Sequence, residues 1–134
     1  MELRIDHIGI AVKDLESVVR EFKKIFDQQE PEYYEVDSLE VKVAVFKAGE
    51  IGLEFLAGTT PESPITRHIE KRGQGVQHIA LKVENIEKVA EELISRGAEF
   101  LDDKPTPGAG GKRVLFLHPS AFGMLIELCE EEKK

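Results

Sequence analysis

Two histidines and two glutamates are the residues of this chain whose types and spacing could support chemistry. His7 lies in the segment Arg4–Val12, and a closely similar segment, Gly75–Val83, contains His78. An offset of 71 residues places one histidine on the other. A histidine in an alternating apolar run that occurs twice indicates a duplicated module.

Each copy is followed by one glutamate inside an apolar run. Glu54 follows His7 by 47 positions (54 − 7), and Glu127 follows His78 by 49 (127 − 78). An isolated glutamate of this kind is usually a solvent-facing position on a half-exposed strand. A buried carboxylate without a partner is costly, however, and two histidines with two glutamates supply the ligands of a divalent transition metal. The sequence therefore predicts a metal site formed by all four residues.

The elements that must position these residues follow the same order in both halves. The first half predicts a strand over about 3–12, a helix over 15–26, and strands over 33–36, 39–46 and 51–56. The second half predicts a strand over 76–83, a helix over about 86–96, and strands over 98–101, about 113–117 and 124–129. The predicted fold class is α+β, with two tandem βαβββ modules that form a curled mixed sheet around one metal-binding cleft.

The modules are expected to share a single domain over residues 1–134. Module 1 covers about 1–58, a connector covers 59–74, module 2 covers about 75–129, and a charged tail covers 130–134 and is expected to be frayed. The loop 102–111 contains two prolines and three glycines, a composition typical of a lid.

Composition excludes several classes of partner. The net charge of −8 disfavours nucleic acid, and no apolar run approaches the roughly 20 residues of a membrane span. The start of the chain shows no signal-peptide core, and the single cysteine, Cys129, fits a reducing compartment as a small apolar residue. We therefore expect a soluble, cytoplasmic protein that acts on small molecules.

Five segments extend the pattern to a known family. They are Asp6–Val12, Leu53–Leu56, Gly73–Ala80, Phe116–Pro119 and Gly123–Leu128. Together they resemble the vicinal oxygen chelate superfamily and, within it, the methylmalonyl-CoA epimerases. The first segment alone marks only the superfamily, whereas the glycine-flanked approach to His78 and the ending after Pro119 resemble the epimerases.

The resemblance implies an isomerase that binds an acyl-CoA. It implies that His7, Glu54, His78 and Glu127 bind a divalent metal ion, usually cobalt, with manganese and zinc as alternatives, and that the protein is a homodimer. The implied reaction interconverts the R and S forms of methylmalonyl-CoA by removing the α-proton and returning it through a metal-stabilised enolate. Such a reaction needs one base on each face of the α-carbon.

The identity of those bases departs from some relatives. Their base is a glutamate at a position that aligns with Val43, and their counterpart of Glu54 is commonly glutamine. Our hypothesis is that Glu54 and Glu127 are both metal ligands and the two catalytic bases, as metal-bound glutamates are in the related glyoxalase I.

Four further residues are candidates for substrate contact. Lys112 and Arg113 could meet CoA phosphates or the substrate carboxylate, although a charge pair beside a loop is more often solvated. His118, with Ser120 two positions later, is expected to cap a turn, with contact to the substrate carboxylate as the alternative.

Three other functions share these features. A glyoxalase I-like lyase acting on a glutathione hemithioacetal has the same kind of ligand set. An extradiol dioxygenase would use two histidines and one carboxylate on iron, so the fourth ligand, Glu54, argues against it. A metal-free binding module of the drug-resistance type has this fold but no reason to keep four ligands.

Overall fold

The computed structural model describes residues 1–131 and places eleven helices and strands in them. In chain order they are β1 (Ile5–Ala11), α1 (Leu15–Phe26), β2 (Glu32–Val36), β3 (Val41–Ala48), β4 (Ile51–Gly58), α2 (Pro64–Arg72), β5 (Gly75–Lys82), α3 (Ile86–Ser95), β6 (Thr106–Pro107), β7 (Arg113–Phe116) and β8 (Leu125–Glu130). The two halves thus repeat the order βαβββ, as predicted, with α2 between them.

The strands form one mixed sheet in the order β2-β3-β4-β1-β5-β8-β7-β6. In each module the first strand pairs in parallel with the last, β1 with β4 and β5 with β8. The two first strands, β1 and β5, pair antiparallel and join the modules. Side chains from β3 and from β7, near opposite ends of the sheet, line one cavity, so the sheet is curled. The predicted fold class is confirmed.

Each module carries one amphipathic helix on its sheet. Asp14 caps α1 by accepting a hydrogen bond from the Ser17 N–H, and Asn85 caps α3 in the same way from the Lys88 N–H. These caps are separated by the same 71 residues as the histidines. Apolar side chains of α1 pack on β3 and β4, and those of α3 pack on β7 and β8. The opposite side of the curled sheet therefore remains available for the cavity.

Two predictions about the second half of the chain are wrong. The predicted strand 98–101 is reduced to a single bridge between Phe100 and Leu117, and the short strand β6 lies instead at Thr106–Pro107, inside the predicted loop. Glu130 is not part of a frayed tail, because its side chain is buried and accepts a hydrogen bond from the Ile86 N–H. Residues 132–134 of the predicted tail lie outside the described residues.

Candidate metal centre

The four predicted ligands lie on the four central strands of the sheet. His7 is on β1 and His78 on β5, while Glu54 is on β4 and Glu127 on β8. All four residues are at most 6% exposed. Each module contributes its histidine from its first strand and its glutamate from the neighbouring last strand, so the internal repeat brings two pairs of donors to one place.

Three of the four residues form a tight group. The two Nε2 atoms of His7 and His78 are 3.1 Å apart, and the Glu127 carboxylate lies 3.1 Å from Nε2 of His78 and 3.6 Å from Nε2 of His7. Two imidazole nitrogens at this distance cannot face each other with lone pairs alone, so either a hydrogen or a metal cation must lie between them. Donors that share one cation at about 2.0–2.2 Å lie roughly 3–4 Å apart, so the group fits a divalent metal ion.

Glu54 approaches from the other edge of the His7 ring. Its Oε2 lies 3.3 Å from Nδ1 of His7, whereas Glu127 faces Nε2. The two glutamates therefore flank one imidazole on its two different nitrogens. The structure brings Glu54 into the same cavity as the other three residues but not into their group of donor atoms.

The sequence reasoning missed two side chains that contact the histidines. Nδ1 of His7 lies 2.7 Å from the Asp6 carboxylate, and Nδ1 of His78 hydrogen-bonds to the side-chain oxygen of Gln77. Asp6 and Gln77 are both 8% exposed. The signal was present, since the offset of 71 that relates the histidines also places Gln77 on Asp6.

A glycine makes room for the second histidine. Gly9 is the Cα partner of His78 across the β1–β5 pair, and a Cβ added there would lie 2.1 Å from Cε1 of the His78 ring. The same offset places Ala80, the Cα partner of His7, on Gly9. Small residues therefore lie opposite both histidines, and the absence of a side chain at Gly9 leaves the space that the His78 ring occupies.

The predicted substrate contacts separate into two groups. Lys112 lines the cavity, and its Nζ donates to Asp6 at 2.8 Å. Arg113, His118 and Ser120 are not among the described residues that line the cavity. The Arg113 guanidinium pairs with Glu87 and Glu130. Substrate contact by Arg113 therefore stays a prediction that no contact in the structure supports.

His118 and Ser120 lie at an exposed turn. The His118 side chain accepts a hydrogen bond from the Ser120 N–H and so caps the short 3-10 turn Pro119–Ala121. The predicted cap is confirmed, and the alternative of substrate contact by these two residues stays a prediction.

Burial and neighbouring charges shift the pKa values of the buried histidines and of Glu54 in different directions. Burial lowers the pKa of His78 to about 4, and the neighbouring His7 adds to this effect. Burial also disfavours the charged form of His7, but the hydrogen bond with Asp6 and the nearby carboxylates outweigh it and raise the pKa of His7 to about 12. Burial raises the pKa of Glu54 to about 7. A protonated His7 can thus donate through Nε2 to His78, and this proton lies where a metal cation would lie.

The cavity around these groups has a volume of about 250 Å³. One wall is apolar and is formed by side chains of β2, β3, β4 and α2: Val36, Val41, Val43, Leu56 and Ile65. Gly108 and Ala109 of the predicted lid loop and Cys129 also line it. Val43 is 1% exposed, so the position where some relatives carry a base is an apolar part of the wall here.

No helix in the described part of the chain is long and apolar enough to cross a membrane. The cytoplasmic location and the homodimer stay predictions.

Comparison with known proteins places this architecture in a family. Residues 6–116 match the Glyoxalase/Bleomycin resistance protein/Dioxygenase superfamily. An ethylmalonyl-CoA/methylmalonyl-CoA epimerase of Cereibacter sphaeroides is 34% identical over 134 residues, covering 93% of this chain and 96% of the relative. The human mitochondrial methylmalonyl-CoA epimerase is 33% identical over 127 residues, covering 93% and 72%.

A solved structure agrees with these relatives. A variant of the Streptomyces coelicolor methylmalonyl-CoA epimerase, in complex with 2-nitronate-propionyl-CoA, superposes with a TM-score of 0.90 at 30% identity and covers 98% of this chain and 100% of that one. The similarity extends over nearly the whole chain and therefore includes both βαβββ modules, each with one histidine and one glutamate on its central strands. The chain therefore belongs to the methylmalonyl-CoA epimerase family within the glyoxalase/bleomycin resistance protein/dioxygenase superfamily.

Proposed function

We propose that the protein is a metal-dependent epimerase that interconverts the R and S forms of methylmalonyl-CoA. Family membership supports the reaction class, and one observation of the site carries the mechanism. Two buried glutamates, Glu54 and Glu127, flank the His7 ring on its two different nitrogens and face one cavity. Epimerisation needs a proton acceptor on each face of one carbon, and a pair of carboxylates around a shared centre meets that need.

The substrate sets the task for these carboxylates. The α-carbon of methylmalonyl-CoA lies between a thioester and a carboxylate, so removing its proton leaves negative charge on the neighbouring oxygens. In the proposed mechanism one glutamate accepts the proton from one face, and the other glutamate supplies a proton to the opposite face. The order reverses for the other enantiomer.

The donor set also supports the metal dependence. His7, His78 and Glu127 would hold the ion, with Glu54 as the fourth ligand. We propose cobalt, from the resemblance to the epimerases, with manganese and zinc as alternatives. When bound, a divalent ion supplies Lewis-acid stabilisation of negative charge on the substrate oxygens.

The apolar wall would bind the remaining part of the acyl group. Val41, Val43 and Leu56 offer no hydrogen-bonding side chain, so an alkyl substituent can pack against them while water is excluded. Exclusion of water strengthens the electrostatic interactions of the nearby carboxylates. Lys112 lines the cavity, and its ammonium group contacts Asp6 next to His7. We propose that this ammonium group also donates hydrogen bonds to the substrate carboxylate or thioester.

The experiment that tests this function is deuterium uptake at the α-carbon of methylmalonyl-CoA in D₂O, followed by NMR. The metal-stripped protein and the protein reloaded with cobalt are compared. We expect exchange only with the reloaded protein. Absence of metal-dependent exchange would reject the proposal, and turnover of a glutathione hemithioacetal by the same sample would favour the glyoxalase I-like lyase instead.

A further inference from the structure

We propose that Asp6 and Gln77 are a matched pair of positioning residues, which hold His7 and His78 in the tautomer that directs both Nε2 atoms to the metal ion. The inference rests on the proposed function only in taking these two histidines as ligands. It assigns a task to two buried polar residues that neither the ligand set nor the catalytic bases include.

The β1–β5 pairing explains how each positioning residue reaches its histidine. Residues Ile5 and His7 of β1 pair with the consecutive residues Leu81 and Ala80 of β5, so Asp6 is an extra residue, a β-bulge. In an unbulged strand Asp6 and His7 would point to opposite faces. The bulge allows both side chains to be buried and to hydrogen-bond to each other.

A second bulge repeats this arrangement on the other strand. The consecutive residues Gly9 and Ile10 of β1 pair with His78 and Val76 of β5, so the extra residue there is Gln77. Gln77 is also buried and hydrogen-bonds to Nδ1 of the histidine that follows it. In both modules, therefore, a bulged residue precedes the histidine and contacts its Nδ1.

The hydrogen bonds fix which nitrogen of each ring is free. An oxygen of Asp6 or Gln77 can only accept from Nδ1, so Nδ1 carries a hydrogen, and in the neutral ring Nε2 keeps the lone pair that binds a metal. Both Nε2 atoms then face one point, 3.1 Å apart. Side chains that orient ligating histidines in this way typically contribute 10–100-fold to metal affinity.

The two partners differ in charge, and the structure compensates for the difference. Asp6 is a carboxylate that accepts from Lys112 Nζ at 2.8 Å and from the Cys129 thiol at 3.6 Å, whereas Gln77 is neutral. A lysine that is 106 residues away in sequence thus holds the Asp6 carboxylate in place. The oxygen acceptor is common to both positions, so the shared task is orientation.

The test uses variants that remove or keep the acceptor oxygen. Asp6→Ala and Gln77→Met remove it, and the methionine keeps the volume of the glutamine. Asp6→Asn and Gln77→Glu keep an oxygen. Glu130→Gln is the matched control, because Glu130 is an equally buried carboxylate that hydrogen-bonds to Ile86 away from the cavity.

Two measurements are made in the absence of substrate. We expect cobalt titration, followed by visible absorption, to show 10–100-fold weaker binding by Asp6→Ala and Gln77→Met. Asp6→Asn and Gln77→Glu should recover most of the affinity, and Glu130→Gln should match the wild type. The tautomer is measured in a metal-free His7→Leu background, where no imidazole donates to Nε2 of His78. There ¹⁵N NMR should show His78 with its hydrogen on Nδ1, and addition of Gln77→Met should shift it toward Nε2, where the Glu127 carboxylate can accept it.

If Gln77→Met binds cobalt as tightly as the wild type and leaves the His78 tautomer unchanged, the inference is wrong. The Gln77 variants allow this decision even if Asp6→Ala does not fold. The tautomer measurement needs neither metal nor substrate. If the wild type fails to catalyse α-proton exchange while these variants behave as expected, the proposed function fails and the inference stands.

Discussion

At the scale of single residues, the site depends on which atom of His7 each neighbour contacts. Glu127 faces Nε2, Glu54 faces Nδ1, and Asp6 also contacts Nδ1. One imidazole therefore contacts the candidate metal ligands through Nε2 and two further carboxylates, those of Glu54 and Asp6, through Nδ1. This arrangement makes Glu54 the residue whose role is most open to a direct test.

Glu54→Gln tests whether this carboxylate is a base. The amide keeps the size and an oxygen ligand but cannot accept the substrate proton, so we expect cobalt affinity within a few-fold of wild type. Epimerisation should fall by roughly 10²–10⁴-fold, the range for loss of a general base. Steady-state epimerase assays and cobalt titrations of both proteins measure the two effects.

Near-full epimerisation with normal metal binding would make Glu54 only a ligand, with the second base elsewhere. Glu130→Gln serves again as the control, since the same chemical change away from the cavity should leave epimerisation unchanged.

At the scale of elements, the close pairing of β1 and β5 brings the two histidines together. The antiparallel pair is the seam between the modules, and each histidine lies opposite a small residue, Gly9 or Ala80. The bulges at Asp6 and Gln77 interrupt this same pair of strands. The seam therefore determines both the separation of the rings and the orientation of their nitrogens.

Gly9→Ala tests the seam. A Cβ at this position would lie 2.1–2.6 Å from three atoms of the His78 ring, so the ring must leave its present position. We expect roughly 10-fold or more weaker cobalt binding, because a ligating histidine is displaced. The free energy of unfolding should fall by about 1–3 kcal/mol, as for an overpacked core. Cobalt titration and urea unfolding measure the two quantities.

Gly49→Ala is the matched control. Gly49 lies in the turn between β3 and β4 with φ of 67°, and nothing lies within 4 Å of an added Cβ. Its alanine variant should lose about 1–2 kcal/mol from backbone strain but keep its cobalt affinity. Equal cobalt affinities of Gly9→Ala and the wild type would contradict the assignment of His78 as a ligand.

At the scale of the whole molecule, the candidate metal centre joins the two modules. His7 and Glu54 come from the first module, and His78 and Glu127 come from the second. A bound ion would therefore link two halves that otherwise meet along β1 and β5. It would also take the place of the hydrogen bond between the two Nε2 atoms.

Metal removal should accordingly lower thermal stability. At a free cobalt concentration about 100 times the Kd, binding adds about 2.7 kcal/mol to the free energy of unfolding. For a chain of this size that corresponds to roughly 8–12 °C in Tm. Differential scanning calorimetry with excess cobalt and with a chelator measures the shift.

His78→Gln is the control for this measurement, because a variant without the second imidazole should show a much smaller response to cobalt. Equal Tm values for the wild type with cobalt and with the chelator would argue against a metal centre that joins the modules.

The amino-acid sequence by itself determined the repeat, the order of elements and the identity of the four candidate ligands. These depend on local patterns, since apolar alternation, caps such as Asp14 and Asn85, and a fixed offset of 71 residues can all be read along the chain. The short strand β6 was misplaced because two paired residues leave almost no periodic signal.

Only the tertiary structure decided how the neighbours of the ligands are arranged. The two bulges depend on the register between β1 and β5, and the pairing of Lys112 with Asp6 joins residues 106 positions apart. A single-residue change in register moves a side chain to the other face of a sheet, and no local pattern specifies it. The sequence therefore determined which residues could bind a metal ion, and the strand pairing decided which atoms of those residues face one another.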